Sequence, residues 1–276
     1  MGYESIELSV EAKVAHIRLS RPERFNALAD AFWRELPTAV RELDACGGVR
    51  AAVISSTGKH FTAGLDLAMF ENEAALDTST PAGRQRFLAK LIGLQDSFHA
   101  LAGARFPVIA AVQGGCIGGG VDFVSACCLR YATRDAWFVI QEINLGMMAD
   151  VGTLNRMPKQ LPEAVVRELA YTGDRLSAER AERLGFVNGL FDTHEALVAG
   201  ALEVARRIAA KSPVAVSATK GMISYARDHS VAESFEYLNA LQPGIFSIDD
   251  IRRSVAAMKA RAPVEFEDLP RRSGVP

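Results

Sequence analysis

The sequence predicts an α/β body followed by a helical C-terminal region. Short β-branched runs alternate with segments of helical periodicity as far as about residue 190, the pattern turns almost wholly helical from about Glu163, and no low-complexity linker or internal repeat intervenes. The body is therefore taken as residues 1–195 and the helical region as residues 196–276.

At the N-terminus "ESIELSV" and "KVAHIRL" are short, β-branched and separated by a turn, which reads as a hairpin. "NALADAFWRELPTAVRELDA" has helical periodicity through Leu28, Phe32, Leu36, Val40 and Leu43; Pro37 removes one backbone donor and is expected to kink the helix. The apolar runs "RAAVISS" and "FPVIAAVQG" are short enough for buried strands. Between them, residues 84–104 place Phe87, Leu88, Leu91, Ile92, Phe98 and Leu101 near one helical face. Further on, Ser212 followed by Pro213 reads as an N-cap and a first-turn proline, and "SIDD" at 247–250 resembles a capping box with Asp250 in the third position.

The 276 residues can bury one large core or two modest ones, and 49% hydrophobic with 23% charged excludes disorder and collagen. A formal net charge of −2 supplies no overall basic field, so charge favours neither nucleic acid nor an anionic membrane as partner. Cys46, Cys116, Cys127 and Cys128 show no paired zinc spacing, so neither a metal site nor a disulfide framework is expected. "MGYESIELSV" lacks a cationic segment before an apolar run, no apolar span approaches ~20 residues, and "RRSGVP" does not match a peroxisomal S-K-L signal, which together predict a cytoplasmic protein. His16, His60, His99, His194 and His229 share no motif with a nucleophile, and no G-x-S-x-G elbow occurs.

The chemistry gathers around "CIGGGVDF" at 116–123, where three glycines discard side chains inside an apolar region and Asp122 follows two residues later. A strand running into a glycine-started helix exposes backbone N–H groups that no intrahelical carbonyl satisfies. Glycine lets a ligand approach those donors, and a carbonyl oxygen becoming an oxyanion would be stabilised there. Tight helix packing is the alternative use of the glycines. The spacing is not the GxGxxG of dinucleotide binding. "HFTAGLDLAMF" repeats the arrangement, so two turns can supply two N–H groups.

Carboxylates are the other half. Asp122 sits just inside the first helix, Glu142 lies in "VIQEINLGMMADVG", and Asp150 follows eight residues later among Met147, Met148, Ala149 and Val151. Any one of them alone reads as a satisfied structural acid or a cap. Three near a glycine-built anion site suit proton transfer. A thioester carbonyl held by two N–H groups acidifies its α-carbon, and carboxylates raised in pKa by apolar surroundings can remove and return protons.

Together "RPERFNAL", "GKHFTAGLDL", "VIAAVQGGCIGGGVDF" and "FVIQEINLGMMADVGTLNRMPKQL" resemble the crotonase superfamily, also called the enoyl-CoA hydratase/isomerase family, over at least residues 3–260. "GGGVD" with Asp122, "QE" with Glu142 and "MMADVGTL" with Asp150 look most like its Δ3,5-Δ2,4-dienoyl-CoA isomerase branch. The resemblance implies a crotonase-like spiral of ββα units, a C-terminal helical trimerisation region, and a homotrimer or homohexamer. It implies an acyl-CoA thioester as substrate and no cofactor beyond the coenzyme A that the substrate carries.

Carried over to this sequence, the resemblance makes Leu65 and Gly119 the oxyanion-hole donors and Asp122, Glu142 and Asp150 the catalytic acids. Phe25 and Ala27 would lie along the coenzyme A, with Gly64, Leu65, Asp66, Leu67, Gly119 and Gly120 around the substrate. Lys220 could reach its phosphates, although a solvated helix face is the plainer reading of that lysine. Asp122 and Glu142 fall where hydratases carry two glutamates, and the shorter aspartate disfavours the geometry that holds and activates water. Three alternatives stay open: an enoyl-CoA hydratase, a Δ3,Δ2-enoyl-CoA isomerase, and a non-catalytic scaffold or RNA binder of the same fold.

Overall fold

A computed structural model describes residues 2–71 and 76–272, so the last four residues of "RRSGVP" lie outside it. The expected hairpin forms from β1 (Ile6–Glu11) and β2 (Val14–Leu19), turned by Ala12 and Lys13, both at positive φ as a two-residue hairpin turn requires. β3 (Ala51–Ser56), β4 (Val108–Val112), β6 (Leu129–Thr133) and β9 (Leu190–Phe191) extend it in parallel, in the order β1-β2-β3-β4-β6-β9. A second sheet, β5-β7-β8, comprises Gly115–Ile117, Trp137–Val139 and Leu176–Ser177. Every residue of β3 and β4 is buried, because alternate side chains enter two different cores. Ala52, Ile54, Val108, Ala110 and Val112 join the large core, whereas Ala51, Val53, Ile109 and Ala111 face the smaller one.

Helices cover both faces. α1 (Asp30–Cys46) and α2 (Pro81–Gly103) pack on the large core, and the short buried α3 (Gly119–Ser125) crosses beneath them. Phe98 stacks on Phe123 at 5.2 Å and Trp33 meets Phe98 at 5.2 Å, an aromatic knot that fixes the helix carrying Asp122. α1 runs on through Pro37 as one element. The Trp33 carbonyl, which Pro37 leaves without its helical donor, accepts the Ser97 hydroxyl at 3.0 Å instead. On α2 the expected apolar face is half realised: Phe98 and Leu101 are buried, but Leu88 and Ile92 are 46% and 55% exposed.

Beyond α3 come α4 (Thr153–Arg156), α5 (Glu163–Thr172), α6 (Ala178–Arg183), α7 (His194–Ala209), α8 (Pro213–Asp228), α9 (Val231–Ile245) and α10 (Ile248–Ala260). The region after Glu163 is less uniformly helical than its sequence suggests, since β8 and β9 pair into the two sheets there. The expected boundary at 195/196 falls inside α7. That helix covers the second face of the main sheet through Leu197, Ala201, Ala205 and Ala209, whose small size permits close approach. The Ser212 hydroxyl accepts from the Ala215 amide and Ser247 caps Asp250 at 3.1 Å, while a complete capping box at Ser230 and Glu233 was not anticipated. No helix among the described residues is long and apolar enough to cross a membrane.

Candidate active site

Two glycine turns meet beside the ends of β3 and β5. Leu28 N donates to Gly64 O at 2.8 Å and Asp66 N donates to Leu28 O at 3.2 Å, which occupies the peptide groups around Leu65 and leaves the Leu65 N–H facing the other way. Thr62 N donates to Gly115 O and Ile117 N to Thr62 O, both at 3.2 Å, stitching that turn to the second. Gly64, at φ +84°, permits the join, because a Cβ there would stand 2.6 Å from Ile117 O. Gly119 opens α3, so its N–H has no intrahelical acceptor. A Cβ on Gly119 would stand 3.8 Å from Leu65 N, and one on Gly64 would stand 3.6 Å from Gly119 N. The two amides are neighbours, and among the described residues neither donates to an acceptor.

The three acids act on one another's charge, with Glu142 against Gly118 next to this pair. Asp122 is fully buried one turn into α3; its Oδ1 accepts from Thr153 N at 2.5 Å and its Oδ2 has no partner among the described residues. Burial pushes its carboxyl from 3.8 up to about 6, with the Asp150 charge adding and the Thr153 hydrogen bond and Arg156 opposing. Glu142, in the 3-10 turn Gln141–Leu145, lies over the bare face of Gly118, where a Cβ would stand 3.1 Å from its Oε1. Burial and then the Asp122 charge raise it from 4.5 to about 7, and its Oε2 is likewise unpartnered. Burial also raises half-buried Asp150, whose backbone carbonyl accepts from Gln95 Nε2 at 2.8 Å. Of its apolar neighbours, Ala149 and Val151 are buried, but Met148 points outward at 69% exposure.

Other candidate residues divide between surface and support. Phe25 stands 53% exposed at φ +49°, Ala27 is half-buried behind it, and exposed Leu67 opens the 3-10 turn Leu67–Phe70, whose start Asp66 caps through Ala68 N at 3.1 Å. Gly120 serves packing, since a Cβ there would stand 2.4 Å from Thr62 Cγ2. Lys220 is neither on a solvated face nor free to take phosphates: it is largely buried and donates to the carbonyls of Leu101, Ala104 and Phe106 at 3.1, 2.7 and 3.0 Å, capping the end of α2. His60 Nδ1 accepts from Gly115 N at 2.9 Å and supports the turn.

Sequence reasoning passed over Asn26, Thr153 and Arg156. Asn26 is buried, its Nδ2 donates to Thr57 O and His60 O, and its own carbonyl accepts from the Thr62 hydroxyl. An asparagine inside "RPERFNAL" was the available signal, because its side chain can satisfy turn backbone. A cavity of about 1330 Å³ between α8 and the core reaches Asp150, Gly152 and Arg156, and a smaller one of about 570 Å³ is lined by residues 146–149. The chemistry is placed by the paired amides and acids, where charge develops, rather than by cavity size. No cluster of metal-ligating side chains occurs among the described residues.

Paired amides with buried carboxylates beside them can hold a carbonyl and move protons next to it. The chain belongs to the enoyl-CoA hydratase/isomerase family, whose model matches residues 9–270. It is 42% identical over 265 residues to the mitochondrial Delta(3,5)-Delta(2,4)-dienoyl-CoA isomerase of Mus musculus, covering 94% of this chain and 81% of that protein. It is 35% identical over 277 residues to the peroxisomal isomerase of the same name from Arabidopsis thaliana, covering 97% and 99%. Among solved structures it resembles an enoyl-CoA hydratase of Mycobacterium tuberculosis H37Rv, with a TM-score of 0.83 at 30% identity over 96% of this chain and 99% of that one.

Proposed function

We propose that the protein isomerises 3,5-dienoyl-CoA thioesters to 2,4-dienoyl-CoA in fatty acid oxidation. The observation that carries this reading is a third acid, Asp150, whose charge acts on both Asp122 and Glu142, in a chain up to 42% identical to dienoyl-CoA isomerases. Glu142 removes a proton from C2, and the electron pair moves into a dienolate whose oxygen rests on the Leu65 and Gly119 amides. Asp150 then delivers a proton to C6, the C2–C3 and C4–C5 double bonds form, and proton return from Glu142 to Asp150 through solvent restores the enzyme. Asp122 tunes Glu142 by its charge. Each amide is worth ~3 kcal/mol of barrier and each proton-transfer group ~10²–10⁴ in rate. The steps consume no cofactor.

Phe25 and Ala27 are assigned to the coenzyme A path, and Gly64, Asp66 and Leu67 to the surroundings of the substrate. Exposed Ile223, Phe235 and Tyr237 on α8 and α9 support a homotrimer, alone or paired as a hexamer, with the part of the segment after residue 195 that follows α7 as its assembly region. The proposed compartment is the cytoplasm; the relatives named above are mitochondrial and peroxisomal, and fractionation of the source cells decides. Spectroscopic turnover of 3,5-dienoyl-CoA, beside 2-enoyl and 3-enoyl thioesters, tests the activity. Hydration of the 2-enoyl ester with no conjugation change in the dienoyl one would replace this reading with a hydratase.

A further inference from the structure

Arg156 lies beside the acids, and the mechanism above leaves it unused. Gly152, at φ +135°, has no side chain, and a Cβ there would stand 1.7 Å from Arg156 Nη1 and 2.8 Å from its Cζ, so the guanidinium fills the space that Gly152 leaves empty. From that position Nη1 donates to Val151 O at 3.3 Å, and the Arg156 amide donates to Gly152 O at 2.9 Å. Gln95 holds Asp150 O on one side, and the Thr153 amide holds Asp122 on the other. Residues 150–153 are therefore fixed at one backbone atom each: the Arg156 side chain holds Val151 O, and the backbone amides of Asn155 and Arg156 hold Gly152 O.

A guanidinium suits this place better than an ammonium. Its Nη1 end enters the space beside the glycine and reaches the Val151 carbonyl, and its charge persists when partly buried. That charge acts on Asp122 through space and is opposed by Arg227. The Asp150 side chain hangs from one end of the clamped turn and Asp122 is bonded to the other, so any play in the turn alters the reach between them.

We propose that Arg156 is a positioning residue: wedged over Gly152, it locks the 150–153 turn so that Asp150 stands at fixed reach from Asp122 and Glu142, with a positive charge held behind the acids. This rests on the reading that Asp150 protonates C6. Its consequence is a partition. A dienolate formed by Glu142 either regains a proton at C2 or is trapped at C6, and loosening the turn slows only the second path.

The test uses the full chain with 3,5-dienoyl-CoA in D₂O, scoring deuterium at C2 of recovered substrate against product formed. Arg156→Met should raise the exchange-to-product ratio by about tenfold or more with KM changed less than about threefold, whereas a purely structural arginine would lower both outputs together. Arg156→Ala should regain product formation with millimolar guanidinium, which the adjoining cavity of about 1330 Å³ can admit, and not with ammonium. If Arg156→Met does not fold, Arg156→Lys carries the same comparison. A wild-type ratio in the folded variant, or equal loss of exchange and product without rescue, overturns the proposal. Wild-type protein inert toward 3,5-dienoyl-CoA would instead overturn the activity itself, before any variant is compared.

Discussion

The Thr153 amide donates to Asp122 Oδ1 at 2.5 Å, and this bond ties the helix that starts at Gly119 to the turn that carries Asp150. It satisfies one carboxylate oxygen and leaves the other buried without a partner. Glu142 has an unpartnered buried oxygen as well, so the site keeps two poorly solvated acids side by side. Such a pair is uncomfortable when both are charged, and that discomfort readies Glu142 to take a proton.

A pH dependence with a definite sign follows. Asp122 and Glu142 rise from 3.8 and 4.5 to about 6 and about 7 in the folded protein, so between roughly pH 4 and 7 the folded state binds more protons than the unfolded one. The pair's contribution to stability therefore weakens as pH rises through that window. Isomerisation should do the opposite, with kcat/KM climbing through about pH 7 as Glu142 ionises. Glu142→Gln should cut turnover ~10²–10⁴-fold and melt higher than wild type at pH 8, an advantage that shrinks towards pH 4. A flat rate profile from pH 5 to 9 would remove Glu142 as the base.

Two adjacent glycines should respond differently to alanine. A Cβ at 119 meets Leu28 Cδ1 at an ordinary 3.4 Å and intrudes beside Leu65 N, so Gly119→Ala should fold near-normally and lose ~10²–10³ in kcat. At 120 the Cβ would stand 2.4 Å from Thr62 Cγ2 inside the joined turns, so Gly120→Ala should lower Tm by several degrees first. Thermal melts paired with initial rates separate the two, and an active Gly119→Ala would disprove the oxyanion hole.

Lys220→Met should destabilise by ~2–4 kcal/mol, because three carbonyls at the end of α2 lose their shared charged donor. Its KM for acyl-CoA should not change. Denaturant melts and steady-state kinetics measure both, and a raised KM with unchanged stability would return Lys220 to the ligand.

What the sequence made legible was local. The hairpin, the doubly buried β3 and β4, and the two glycine turns each follow from residue types within a few positions, as does the Ser212 cap. Remedies supplied from afar were hidden. Pro37 was expected to kink α1, and nothing near it reveals that Ser97 on another helix satisfies the carbonyl it orphans. Lys220 looked like any amphipathic-helix lysine, because its three acceptors lie 114 to 119 residues away. Leu88 and Ile92 fit the helical period, yet only the far half of α2 meets the core. At the site, residue type identified the acids, whereas their ranking depends on burial and mutual charge, which only the packed structure supplies.

Asp150 is the residue on which the choice of reaction turns. Moving a proton from C2 to C6 spans four carbon–carbon bonds, further than one fixed carboxylate reaches, so a second acid must stand along the acyl chain. Asp150 is held by a clamped turn and half-buried, and burial raises its carboxyl above the usual aspartate value. Asp150→Asn preserves shape and the Gln95 bond to its backbone while removing that proton. Dienoyl isomerisation should fall ~10²-fold or more while C2 exchange through Glu142 continues, measured by absorbance and by deuterium uptake on the same folded variant with acyl-CoA binding retained. An Asp150→Asn protein that isomerises at the wild-type rate would make Asp150 a structural acid, and Glu142 with Asp122 would then have to serve both ends of the dienolate.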